Sequence, residues 1–250
     1  MKKSFHALCV GALALSSASL LSAANWLTHM NPPEILADGT LRAQAPLGEE
    51  GQSFLHYFNP QEMSVGDVLE LTWRVRISRF AASNNLARFG FYDSKGERLD
   101  HHSAYSHPLL SNYTGLSIFV PNTRANSQQG QRSSISAHVR NLPDPLLVTG
   151  RAHGPRLAGV GDGFETLGNN QWSPTQTLRL KRTSNGWEVL TRLGGVDGRA
   201  DLPARESVMQ ISAADLSQTR FDTVLLWYRT SAEIQPMVEI QSAELRTRRE

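Results

Sequence analysis

The sequence predicts an all-β chain folded as a two-sheet antiparallel β-sandwich. Three observations lead there. Apolar residues recur at period two, Gly, Asn and Pro punctuate the runs at short intervals, and no segment sustains a helical period. In "DVLELTWRVRIS" (67–78), Leu69, Leu71, Trp73, Val75 and Ile77 share one face of an extended chain, with Glu70, Thr72, Arg74 and Arg76 on the other. That pattern is a strand with one solvated face.

The remaining elements follow in order. Weaker strands are predicted at 39–45, 52–58, 86–93, 97–104 and 113–120. Asp93-Ser94-Lys95-Gly96 reads as a turn, so 86–104 is expected to be a hairpin whose far end is decorated by His101, His102 and His107. "TQTLRLKRT" (175–183) and "WEVLTRL" (187–193) form a second hairpin around Asn185-Gly186. "ISAADLSQ" (211–218) allows one short turn of helix. "FDTVLLWYRT" (221–230) is apolar on both sides, as a central strand covered on both faces must be. "PMVEIQSAELRT" (236–247) is a less regular last strand that suits a bulge.

Residues 1–24 read as a signal peptide. Lys2 and Lys3 precede an apolar, small-residue stretch, and Ser22 and Ala24 suit cleavage after Ala24. The rest, 25–250, is expected to be a single domain, secreted or periplasmic, with no transmembrane segment after cleavage. Cys9, the one cysteine, leaves with the leader, so no disulfide, thiolate nucleophile or Cys metal ligand remains. The leader also carries two of the 25 Lys and Arg and none of the 23 Asp and Glu, so the remainder is formally neutral.

The order of "MSVGDVLELTWRVRIS", "ARFGFYDSKG", "TLRLKRTSNGWEVLTRLGG", "FDTVLLWYRTSA" and "VEIQSAEL" resembles the concanavalin A-like (lectin/glucanase-type) jelly-roll domains of secreted bacterial proteins, across residues 39–247. The resemblance implies two curved, packed antiparallel sheets. It also implies a concave face of the kind that often binds glycans and in some members cleaves them. Fold alone does not confer either activity.

The motifs of the catalytic members are missing. There is no E-x-D-x-x-E, the spacing that sets two carboxylates on one strand face for a retaining glycosidase. The alginate-lyase pattern R-x-E-L-R finds Glu244-Leu245-Arg246 but has Ser242 at its first position, and no Q-I/V-H occurs. G-x-S-x-G, H-E-x-x-H and a P-loop are also missing, and "GVGDGFETLG" (159–168) lacks the strand-turn-helix context of a phosphate loop. No catalytic residue, metal ligand set or cofactor is assigned. Structural calcium is the one ion that Asp162, Asp197 and Asp201 would suit.

Charge says more. Between His101 and Gly161 lie Arg124, Arg132, Arg140, Arg151 and Arg156 with five histidines, against Asp144 alone. A segregated cationic stretch attracts anions, and Arg forks match carboxylates and sulfates. The expected partner is extracellular polysaccharide, with an acidic polymer as the finer reading. Arg124, Arg132 and Arg140 would hold the anion and Tyr105, Tyr113 and Trp172 would stack on sugar rings. Nucleic acid is a poor partner for an exported, neutral chain. Two other readings stay open. One is a polysaccharide lyase or glycoside hydrolase, with His102, His138, Tyr105 and Tyr113 as the proton-transfer candidates of a lyase. The other is a non-catalytic structural surface or matrix protein.

Overall fold

The structure is a computed structural model that describes residues 17–22, 25–46, 51–79, 85–104, 106–121, 135–141, 143–147, 153–157, 170–193, 205–230 and 235–250. Its strands are β1 (Ser17–Leu20), β2 (Trp26–Thr28), β3 (Glu34–Ile35), β4 (Leu41–Gln44), β5 (Gly51–Glu62), β6 (Asp67–Ile77), β7 (Asn85–Asp93), β8 (Thr114–Pro121), β9 (Ser136–Arg140), β10 (His153–Leu157), β11 (Gln176–Thr183), β12 (Gly186–Leu193), β13 (Arg205–Ser212), β14 (Arg220–Arg229) and β15 (Met237–Arg249). They form two sheets. The eight-stranded sheet runs β13-β12-β11-β6-β15-β4-β3, with β1 also on β15, and the seven-stranded sheet runs β10-β9-β8-β7-β14-β5-β2. The pairings are antiparallel, as the alternation requires. The two-sheet sandwich expected from sequence is therefore present. No helix among the described residues is long and apolar enough to cross a membrane.

The core lies between the sheets. The predicted inner face of β6, from Leu69 to Ile77, is fully buried there. Trp73 and Phe89 pack edge-on at 4.8 Å, Phe89 and Tyr228 at 5.6 Å, and the Trp73 indole N–H donates to the Tyr228 hydroxyl at 2.5 Å. β14 lies between β5 and β7. One face of it, Val224, Leu226 and Tyr228, fills the main core. The other, Leu225 and Trp227, joins Leu55, Tyr92, Leu99, Leu110 and Tyr113 in a second cluster. The double coverage read from "FDTVLLWYRT" is thus real, and its outer cover is the chain between β7 and β8.

That cover corrects the hairpin expected over 86–104. Lys95 and Gly96 adopt φ of 56° and 82° and make the turn. However, both edges of β7 are taken, by β8 and β14. Residues 97–104 have no ladder to join, so the chain crosses the outer sheet face instead and anchors Leu99, Ala104 and Leu110 there. The second hairpin forms one residue earlier than the Asn-Gly motif implied: Thr183 pairs with Gly186 around Ser184-Asn185. A Cβ at Gly186, whose φ is 145°, would collide with the Ile211 carbonyl. β15 carries the expected bulge, with a register shift between Gln241 and Glu244 and Ser242 at φ 55°. Part of the expected leader is structured. Ser17 to Leu20 pair with Thr247 to Glu244, and Leu21 packs on the main core.

His56 of β5 faces Trp26, with ring centroids 5.0 Å apart. Both imidazole nitrogens are buried with no hydrogen-bond partner among the described residues. Burial, and secondarily Arg98, pushes the ring down to about 4. Its free value is 6.5, so the unfolded chain binds the proton that the folded chain refuses. Stability from this group is complete above pH 6.5 and drains as pH falls toward 4, by about 3 kcal/mol. His56→Phe is expected to remove that slope in urea unfolding measured across pH 7 to 4. An unchanged slope would mean the ring is not the source.

Candidate functional site: a polar cleft at the sheet rim

Five strands of the seven-stranded sheet meet one rim. β5, β7 and β9 end there at Glu62, Asp93 and Arg140, and β8 and β14 begin there at Thr114 and Arg220. The chain from β13 to β14 crosses over from the other sheet. It makes the short helical turn expected near 211–218, closed by the Leu216 amide on the Ser212 carbonyl at 3.1 Å. Leu216 anchors it, its carbonyl accepting from the Trp187 indole at 2.9 Å. Between this crossing and the rim lies a cleft of about 480 Å³. That is the size range of small-ligand pockets. Thr114, Asn141, Ser217, Gln218 and Thr219 add uncharged donors and acceptors to its wall, while Lys95, Arg140 and Arg220 balance Glu62, Asp93 and Asp215.

The carboxylates at the rim are occupied. Asp93 is buried and pairs with the Lys95 ammonium at 2.8 Å and with the Arg220 guanidinium. Beneath it, Asp222 accepts from the Ser94 amide at 2.8 Å, the Ser94 hydroxyl at 2.7 Å and the Thr223 hydroxyl at 2.8 Å. Arg98 and Arg220 each stand 3.6 Å from it. Burial pushes Asp222 up, but Ser94, Thr223 and Arg98 outweigh it and hold the carboxyl below its usual value. Glu62 accepts from the Thr219 hydroxyl, and Asp215 from the Ser212 hydroxyl at 2.6 Å. The chemistry on offer is hydrogen bonding and charge pairing to a polar ligand.

Of the residues assigned from sequence, Arg140 lines this cleft, but its guanidinium is fully buried. It donates to the carbonyls of Tyr113 at 2.9 Å, Leu146 at 3.0 Å, Leu110 at 2.9 Å and Asp144. It is therefore a tie beneath the cleft and not an open anion fork. Tyr113 is also buried, which corrects the stacking role. The Leu99 amide donates to the Tyr57 hydroxyl at 2.9 Å, which lies 2.5 Å from the Tyr113 hydroxyl, which donates to the Glu97 carbonyl at 2.6 Å. Burial drives the Tyr113 phenol upward. Trp172 lies against the eight-stranded sheet, bridged to Arg76, with Arg74 and Arg76 at 5.6 and 4.9 Å from its ring. The structure thus separates it from Tyr113 and Arg140. Arg124, Arg132 and Tyr105 lie outside the described residues, as do Arg151, the glycine-rich stretch and Asp162, Asp197 and Asp201. Among the described residues no three His, Cys, Asp or Glu gather to hold a metal.

Among the described lyase candidates, His102 and His138 lie apart. His138 sits on β9, 4.3 Å from the Phe119 ring, while His102 accepts from the Thr28 amide of β2 at 3.3 Å. β9 and β2 lie near opposite edges of the sheet. Sequence reasoning missed Lys95, Arg220, Asp93 and Asp222. The available signal was Asp222 itself, a charge inside a run that is apolar on both faces.

No family model and no curated protein matches the chain. Solved structures do. The winged bean acidic lectin complexed with methyl-α-D-galactose superimposes with a TM-score of 0.54 at 8% identity, covering 94% of this chain and 99% of that one. Lectin UEA-II complexed with galactose gives 0.52 at 7%, covering 94% and 99%. Peanut lectin with a nine-residue peptide gives 0.51 at 8%, covering 95% and 98%. The chain has the concanavalin A-like jelly-roll fold of these lectins.

Proposed function

We propose that this protein binds carbohydrate, and that the rim cleft is where it does so. The observation that carries the reading is the cleft wall. Alternating hydroxyls, amides and paired charges in about 480 Å³ match a ligand dense in hydroxyl groups. The fold shared with galactose-bound lectins supports it. The preferred polymer is an acidic polysaccharide met outside the cytoplasm, after loss of residues 1–24. Its support is the charge of the stretch from His101 to Gly161, where, apart from the buried Arg140, Arg124, Arg132, Arg151 and Arg156 stand against Asp144 alone.

The test is retention of the chain lacking residues 1–24 on neutral, uronic and sulfated polysaccharides, read together with the ultraviolet absorbance of unsaturated sugar ends. Retention by acidic polymers that weakens with salt is expected, with no new absorbance. Asn141→Ala and Gln218→Ala should each weaken binding about tenfold, the worth of one lost hydrogen bond. Rising absorbance would make the protein a lyase. Silence across the panel would leave a structural surface role ahead.

A further inference from the structure

The rim cleft is long, and a second depression continues it past β5. One wall of the cleft is made by neighbouring strand ends in the order β9, β8, β7, β14 and β5. At about 4.8 Å between strands, they run roughly 19 Å from Arg140 to Glu62. Glu62 also lines the second depression, of about 210 Å³. That depression passes from one sheet to the other. Glu62 and Met63 lie at the end of β5, Asp67 and Val68 at the start of β6, and Arg248 and Arg249 at the end of β15. A sill parts the two. There the Met63 amide donates to the Thr219 carbonyl at 2.8 Å, and the Glu62 carboxylate accepts from the Thr219 hydroxyl.

The two depressions differ in free charge. In the first, Lys95 pairs with Asp93 at 2.8 Å, Arg220 pairs with the same carboxylate, and Arg140 is spent on backbone carbonyls. In the second, Arg248 stands 3.0 Å from Glu250 and 3.5 Å from Glu70. Arg249 is exposed, and among the described residues no carboxylate lies within ion-pairing distance of it. The acids of this wall are engaged elsewhere, Asp67 by the Ser64 amide at 2.8 Å and Glu62 by Thr219. We propose that the ligand is an internal stretch of polymer lying along the strand ends and over the sill, and that Arg249 pairs with an anionic substituent, carboxylate or sulfate, on its far part. This rests on the rim cleft being the carbohydrate site. A planar guanidinium without a partner takes either anion through two parallel N–H bonds. The near cleft, its cations neutralised, reads hydroxyls. Discrimination for acid is therefore confined to ligands long enough to cross the sill. A single sugar fills part of the first cleft and does not reach Arg249.

Calorimetric titration tests this on the chain used for retention, with a size series from monosaccharide to long oligomer in neutral, uronic and sulfated forms. Affinity should climb with length and level once the second depression is filled. Acidic members should exceed neutral ones about fivefold, the worth of one exposed ion pair, and only among the longer oligomers. Arg249→Gln changes an exposed side chain that bonds nothing among the described residues. It should erase the acidic excess while the climb with length remains. An excess for the uronic or for the sulfated series identifies the anion, and either one supports the subsite. A monosaccharide that binds as tightly as any oligomer would overturn it. So would an acidic excess already complete in the shortest members, or one that survives Arg249→Gln. In those cases weaker binding of every member by Asn141→Ala would leave the rim cleft standing as the sugar site. No binding at any length would overturn the cleft reading itself and this inference with it.

Discussion

Arg140→Met is expected to destabilise the fold by about 4 kcal/mol, because four carbonyls that now accept from one guanidinium would be left facing an alkyl chain. Each buried, unmade hydrogen bond costs about 1–3 kcal/mol, and the nearby cleft lets water recover part of that. The carbonyls belong to Leu110 and Tyr113 on one side and Asp144 and Leu146 on the other. The residue therefore ties the end of the β7–β8 crossing and the loop after β9 to β9. Arg140→Lys keeps the charge but loses the planar fork, and should recover roughly half. Urea unfolding of the three proteins checks the order. A Met variant as stable as wild type but weak in polysaccharide retention would return Arg140 to the ligand-contacting role assigned from sequence.

The contrast between β6 and Arg140 shows what the sequence carries. β6 is legible because one of its faces meets the core and the other meets solvent, so polarity alternates at the strand period. The same alternation is present in Ile135, Ala137 and Val139 against Ser136, His138 and Arg140, yet it misleads. Here the polar face turns toward the second cluster and the chain between β7 and β8, so an arginine that reads as exposed is buried. That crossing is itself illegible for a related reason. Leu99, Ala104 and Leu110 keep no period, because they anchor an irregular crossing to a surface built by β5, β7 and β14. Trp172 shows the limit for the site. Nothing local to "GNNQW" says that the chain returns to the eight-stranded sheet, where Arg74 and Arg76 cover the ring.

Asp222→Asn is expected to cost about 3 kcal/mol at neutral pH, toward the lower end for breaking a buried charge arrangement. Asparagine keeps one oxygen for Ser94 but offers no charge to Arg98 and Arg220, both held 3.6 Å away by the rim. Asp222→Leu, which also orphans the Ser94 amide, should cost about 5 kcal/mol. The pH dependence separates this group from His56. The folded carboxyl sits below its ordinary 3.8, so the unfolded chain takes the proton first. Its stabilisation is complete above pH 3.8 and is lost as pH falls through the lowered folded value. The gap between wild type and Asp222→Asn should therefore hold constant from pH 7 to about 4.5 and close below it. The His56 loss, by contrast, is spent by about pH 4. Two acid transitions in adjoining windows, one erased by each substitution, follow from a neutral ring facing the core and a charged carboxylate beneath the rim. If both substitutions instead changed one common window, the two groups would be coupled through the Arg98 that lowers His56 and pairs with Asp222.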